Sequence, residues 1–398
     1  MEFDFDKPIA REGTGAVKFD GRQHYFGTTE VTPLWVADMD FAVPECVTRA
    51  LQQRIHHPIF GYTLYPESLY QSIIDWFQRH HHWKIEREWI LMAPGVVPSL
   101  FAAVQAVTKE GEGVIVQPPV YFPFFSAVTT ANRTIILNPL QLTQNKYTID
   151  FEHLESCAKQ GARLLMLCTP HNPVGRVWTE IELQEVLRIA RKYNLTILSD
   201  DIHADLTYSG VSHTMLGRLA NAGDKIITAV APNKTFNIPG LGLSALIIPH
   251  ADQRHAIKQV FESLHVSNNN PLSITAFEVA YREGDAWLNA LMKYLEVTRD
   301  FTENYLAHHI PNIKLIKPEA TYLLWLDCRE LGMTDAQLRD FFVKQCKIGM
   351  NPGTVFGEGG SGFMRMNIGT HRDAIKNALA TIALSTTALS TTALPTIT

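Results

Sequence analysis

Between residues 89 and 249 short apolar runs alternate with amphipathic stretches, and this alternation leaves the chain very few folds. The runs cover residues 89–92, 114–117, 134–137, 164–168, 196–199, 226–230 and 243–248. Each is bounded by turn residues and has the length of a strand, and helical spacing of apolar residues separates most of them. Strands apolar on both faces, with helices between them, predict an α/β protein on a mainly parallel sheet of about seven strands.

The flanks read differently. The first 45 residues are rich in Gly, Pro and aromatic side chains, an arm of loops ordered by what it lies on. Helical spacing over 47–55 and 68–77 brackets Gly61-Tyr62-Thr63, and the second helix closes on Arg79-His80-His81-His82. Neighbouring histidines on a helix point in different directions, so this run is read as a solvated helix end and no metal site is expected. Helical pattern dominates 271–309, with a stripe through Trp287, Leu288, Leu291, Leu295, Phe301 and Tyr305; strand-like stretches follow at 322–326 and 363–367. These predict a smaller α+β domain reached through a long helix. The closing Ala-Leu-Ser-Thr-Thr repeat has a period of five, which matches no solenoid unit. It reads as a frayed, low-complexity tail over 385–398.

Charge narrows the function. Lys and Arg number 35 against 40 Asp and Glu, so no basic field exists to hold nucleic acid or an anionic membrane, and small diffusing partners are expected. The five cysteines stand singly, without a CxxC pair, which predicts neither a disulfide framework nor a zinc knuckle but a reducing, cytoplasmic setting. The N-terminus lacks a basic region followed by an apolar core, and no run approaches the ~18 apolar residues of a membrane span.

The strongest local signal is Ala231-Pro-Asn-Lys234-Thr-Phe-Asn-Ile-Pro-Gly240, a lysine just beyond a buried strand with no other cation in its segment. Desolvation lowers the proton affinity of such an amine, the condition for a nucleophilic or Schiff-base lysine, although a structural lysine is commoner. Four more strand ends carry matching features, and open α/β sheets bind ligands outside the carboxyl ends of their strands. Gly95-Val96-Val97-Pro98 opens an apolar helix whose free amides suit an anion. Tyr121 offers a flat aromatic face. Asn172, between turn residues, is an uncharged donor. Asp200, in Asp200-Asp201-Ile202-His203, is a carboxylate that needs a cation at a buried strand end. One ligand satisfies all of these: an aromatic cation with a phosphate and an aldehyde, which describes pyridoxal phosphate.

The spacing of Asn172-Pro173-x-Gly175, Asp200-x-x-His203, Lys234 and Arg365 resembles the fold-type I, class I/II aminotransferase superfamily, over the chain up to about residue 384. Trp35-Val-Ala-Asp-Met-Asp-Phe41, Ser199-Asp-Asp-Ile-His-Ala-Asp-Leu206 and Lys234-Thr-Phe-Asn237 are similar to its MalY/PatB branch, the cystathionine β-lyase type of carbon-sulfur lyase. The resemblance implies a large pyridoxal-phosphate domain over 46–282, a small domain made of 1–45 and 283–384, and a homodimer. It also implies roles. Lys234 would hold the cofactor aldehyde and shuttle protons at the substrate Cα, and Asp200 would pair with the ring nitrogen. Asn172 and His203 would bond the ring 3′-oxygen, and Tyr121 would stack on the ring and border the substrate. The Val96 and Val97 amides would take the phosphate, with Tyr62 arriving from the neighbouring subunit. Arg365 would clamp the substrate carboxylate, with Trp35 beside it. Asn233 stands where relatives usually have Ser, and Asp201 where Glu is common. The implied reaction is α,β-elimination of L-cystathionine or a related cysteine thioether. An aminotransferase with the same site is the second reading, and a relative without turnover the third.

Overall fold

The computed structural model describes residues 3–266 and 269–392. Seven strands form the central sheet: β1 (Ile90–Ala93), β2 (Gly113–Val116), β3 (Thr134–Leu137), β4 (Ala162–Cys168), β5 (Thr196–Asp200), β6 (Ile226–Val230) and β7 (Ser244–Ile247). Their order is β1-β7-β6-β5-β4-β2-β3. Pairings among β2 to β6 are parallel, and only β7 runs against its neighbours, β1 and β6. The mainly parallel, seven-stranded expectation therefore holds, with edges displaced by a residue or two.

Alternation along β4 shows how the sheet is buried. Leu164 and Met166 face a cluster with Leu100, Val104 and Ile257, from the Val96–Val107 and Ala251–Ser263 helices. Leu165 and Leu167 face the opposite cluster with Leu154, Leu183, Val186 and Leu187, from the Phe151–Lys159 and Glu180–Tyr193 helices. A strand buried on both faces needs apolar side chains at every position. Because the parallel strands point one way, their carboxyl ends share one edge of the sheet.

A second, antiparallel sheet has the order β8-β9-β11-β10, with β8 (Lys314–Ile316), β9 (Leu323–Asp327), β10 (Asn351–Pro352) and β11 (Phe363–Asn367). Leu324, Leu326, Met364 and Met366 share a core with Leu291 and Leu295 of the Asp285–His309 helix and with Ile375, Leu379 and Ile382 of the Arg372–Thr392 helix. The helical pattern over 271–309 is two helices, Pro271–Glu283 and Asp285–His309, parted at Gly284. A Cβ there would stand 2.3 Å from the Phe236 ring, so only glycine lets the two segments approach.

Three local expectations are corrected. The arm is not all loop: it contains short helices at Val17–Asp20 and Arg22–Phe26, and Thr32–Pro33 pairs in parallel with Ile348–Gly349. The last helix continues to Thr392 through the repeat, because Ala and Leu favour helix; Thr386 and Thr387 satisfy their hydroxyls on the Ile382 and Ala383 carbonyls within it. Residues 393–398 of the expected tail lie outside the described residues. The histidine run is not simply solvated: His81 is buried against Asp205, and His80 stacks on Trp76 at 3.8 Å between ring centroids.

Candidate active site

Five segments leaving the carboxyl edge of the sheet enclose a cavity of about 220 Å³. Its lining includes Val96 and Val97 after β1, Tyr121 after β2, Asn172 after β4, Asp200 and His203 at the end of β5, and Asn233 and Lys234 after β6. Val96 and Lys234, 138 positions apart in sequence, thus meet because the strands that carry them share one edge of the sheet.

Lys234 sits in the turn after β6 and donates from Nζ to the Ala37 carbonyl at 2.6 Å. Burial, reinforced by the Arg365 charge, lowers its pKa to about 8 against the opposing pull of Asp38 and Asp200. Asp200 ends β5, and its Oδ1 accepts from the Ile202 amide at 3.2 Å. Burial raises this carboxyl to about 7, with the neighbouring Asp201 charge pushing the same way and the Ile202 amide and Lys234 opposing. His203 is held neutral, its pKa lowered to about 3 by burial and by the charges of Lys234 and Arg365.

Arg365, on β11, is 4% exposed and ties the second sheet to the cavity. Its Nη1 donates to Asn172 Oδ1 at 2.9 Å, and its Nη2 donates to Asn351 Oδ1 at 2.8 Å and the Trp35 carbonyl at 3.1 Å. Burial lowers even this guanidinium to about 10, leaving a cation ready to bind an anion. The strap over the cavity, residues 35–41, is fixed on both sides. Asn367 Nδ2 donates to the Val36 and Asp38 carbonyls, and Asn237 bonds the backbone of Met39 and Phe41. Buried Lys18 pairs with Asp40 at 2.8 Å, and Arg11 holds both Asp38 and Asp40 at 2.7 Å.

The Asn172 loop is locked by a close approach. Gly175 has φ +72°, and a Cβ there would lie 2.5 Å from Pro318 Cβ and 2.9 Å from its Cα. Its carbonyl also accepts from the Glu319 and Ala320 amides. Gly175→Ala is therefore expected to cost about 2–4 kcal/mol of stability and to disturb Asn172, read as a lowered Tm in thermal unfolding. An unchanged Tm would mean the loop relaxes freely.

Among the residues expected from sequence, Lys234, Asp200, Asn172, His203, Tyr121, Val96 and Val97 share the cavity, and Arg365 reaches it through Asn172. Trp35 meets the site through its carbonyl; its indole turns away, donating to the Lys18 carbonyl at 3.0 Å and packing on Tyr25 and Phe26. Tyr62 is fully exposed, at 110%, and does not line this chain's own cavity. Sequence reasoning missed Ala37, Asn351 and Tyr322, whose hydroxyl donates to the Ala37 carbonyl at 3.0 Å. Asn237 ends the Lys234 motif, Ala37 lies in the Trp35–Phe41 motif and Asn367 ends the 363–367 stretch, so a signal existed for them; Asn351 had none.

The donor set fits pyridoxal phosphate. His203 Nδ1 and Asn233 Oδ1 are buried at the cavity without a hydrogen-bond partner, and Arg365 Nε–H is likewise unpaired. Buried polar atoms of this kind await a ligand's polar groups. The first amides of the Val96–Val107 helix have no partner within the helix and face an anion favourably. Among the described residues no group of His, Cys, Asp and Glu could hold a metal ion, and no helix is long and apolar enough to cross a membrane.

Comparison with known proteins places the chain in a family. The chain is 41% identical to cystathionine beta-lyase PatB of Bacillus subtilis (strain 168), over 95% of this chain and 98% of the relative. It is 31% identical to protein MalY of Escherichia coli (strain K12), over 95% and 97%. Cystalysin from Treponema denticola, solved with a pyridoxal 5′-phosphate cofactor, superposes with a TM-score of 0.95 at 35% identity, covering 98% of this chain and all of that one. The family model for aminotransferase class I and II matches residues 29–382, and the chain belongs to that family.

Proposed function

We propose that this protein is a pyridoxal-phosphate-dependent carbon-sulfur β-lyase. It acts on L-cystathionine or related cysteine thioethers, taking up water and releasing a thiol, pyruvate and ammonia. The carrying observation is that Lys234, Asp200, Asn172 and Arg365 converge on one cavity in a chain 41% identical, almost end to end, to a cystathionine beta-lyase.

Bound in the cavity, pyridoxal phosphate supplies an electron sink for the bond breaking at the substrate Cα. The protein supplies the rest. Arg365 receives the α-carboxylate as a two-pronged cation, which fixes the amino acid's orientation. Lys234, with its lowered pKa, removes the Cα proton as an amine. Asp200 would keep a proton on the ring nitrogen, and neutral His203, with Asn172, would bond the ring 3′-oxygen. Tyr121 would cover the ring face, and the Val96 and Val97 amides would take the phosphate.

Arg365→Ala is expected to lower kcat/KM about 100- to 1000-fold, chiefly through KM, since it strips a buried partner from the carboxylate. Steady-state kinetics with L-cystathionine reads this. A thiol-trapping assay across L-cystathionine and S-alkyl cysteines tests the reaction class; no thiol from any thioether would overturn it.

The same reading makes the protein a cytoplasmic homodimer with domains over 46–282 and over 1–45 with 283–384. All five cysteines are free, in keeping with a reducing compartment. Exposed Ile59, Phe60, Tyr62 and Leu64 form an apolar surface suited to a second copy, whose cavity Tyr62 would complete at the phosphate.

A further inference from the structure

Asp205 closes the stretch that carries Asp200 and His203, and no role above uses it. Its side chain is 7% exposed and accepts three hydrogen bonds. Trp76 Nε1 at 3.0 Å and His81 Nε2 at 2.9 Å meet Oδ1, and the Thr235 hydroxyl meets Oδ2 at 2.8 Å. Burial would push this carboxyl up, but the donors His81, Thr235 and Trp76 outweigh it and hold it below the usual range. A buried carboxylate is costly unless every oxygen is satisfied, and here each is.

The donors belong to two different elements. Trp76 and His81 lie on the Glu67–His81 helix, whereas Thr235 follows Lys234 directly. The lysine turn, residues 232–240, has no helix or strand to hold it. Its internal backbone bonds include Phe236 N to Pro232 O at 2.9 Å and Ile238 N to Asn233 O at 3.0 Å. Besides Lys234 itself, whose Nζ reaches the Ala37 carbonyl, two side chains fasten it to its surroundings by hydrogen bonds among the described residues: Asn237 to the strap, and Thr235 to Asp205.

We propose that Asp205 is a positioning residue for Lys234: through Thr235 it pins the lysine turn to the Glu67–His81 helix and keeps the amine aimed at the reacting atoms. The inference rests on Lys234 being the base. Its substitutions act on turnover rather than on substrate affinity, because neither Asp205 nor Thr235 lines the cavity.

The test uses the cofactor-loaded protein. Thr235→Val keeps the side-chain shape and removes the hydroxyl; kcat is expected to fall about 10- to 100-fold with KM changed less than about threefold. Thr235→Ser, which keeps the hydroxyl, should restore most of the rate. Combining Thr235→Val with Asp205→Asn should cost no more than the worse single change, because both break one link. Amide hydrogen exchange should quicken in residues 232–240 of Thr235→Val and remain unchanged in β4 and β5. A wild-type kcat in Thr235→Val, a Ser variant as impaired as the Val variant, or unaltered exchange in 232–240 would each overturn the proposal. If the wild-type protein proves to transaminate instead, kcat is read in that reaction, and the exchange result still decides about Asp205.

Discussion

Lys234→Ala is expected to abolish turnover, with kcat reduced about 10⁴-fold or more, because the change removes the only amine at the cavity among the described residues and the base that acts on Cα. Borohydride should fix the cofactor covalently on the wild-type chain, and peptide mapping should find it on Lys234; the Ala variant should remain unlabelled. The environment adds a pH signature. An amine depressed from 10.5 to about 8 loses its proton as pH climbs through that value, so the nucleophilic form is scarce below it and dominant above it. Cofactor uptake by the cofactor-free protein should therefore accelerate through about pH 8, read by the rise of visible absorbance. A rate that stays flat across this range would mean Lys234 is not the amine that captures the aldehyde.

The second large effect concerns Asp200. Asp200→Asn should retain the cofactor yet lower kcat about 100- to 1000-fold, since an amide cannot stabilise a protonated ring nitrogen as a carboxylate does. Position makes Asp200 suited to this role: it is the last residue of β5, clamped by the Ile202 amide, so its oxygens stay fixed at the cavity floor. Burial holds its pKa near 7 in the cofactor-free protein, and a cationic partner is what would draw it down. Cofactor content from absorbance and kcat from pyruvate release separate binding from chemistry. Full turnover in the Asn variant would contradict this assignment.

How much of this was legible in the sequence follows from range. Each central strand is a local apolar run and could be read directly, and the strand ends delivered Lys234, Asp200, Asn172 and Tyr121 together. The antiparallel sense of β7 left a weaker trace: the link from Val230 to Ser244 contains Pro239 and Gly240 but no helical pattern, and a parallel crossover is usually made by a helix. Pairings between distant segments left none. Asp205 meets His81 across 124 positions, and Arg365 meets Asn351 through the β10–β11 pairing. The indole of Trp35 was expected at the substrate because its motif resembles the family's, yet the fold uses the backbone of that segment and buries the ring in the arm.

The central claim is that the site eliminates sulfur rather than exchanging an amino group, and one measurement addresses it. Purified cofactor-loaded protein is incubated with L-cystathionine and no keto acid, and pyruvate, ammonia and free thiol are followed together. Elimination predicts that all three appear in equal amounts over many turnovers. If no pyruvate forms until a keto acid is added, and a new amino acid then accumulates, the protein is an aminotransferase and the claim fails.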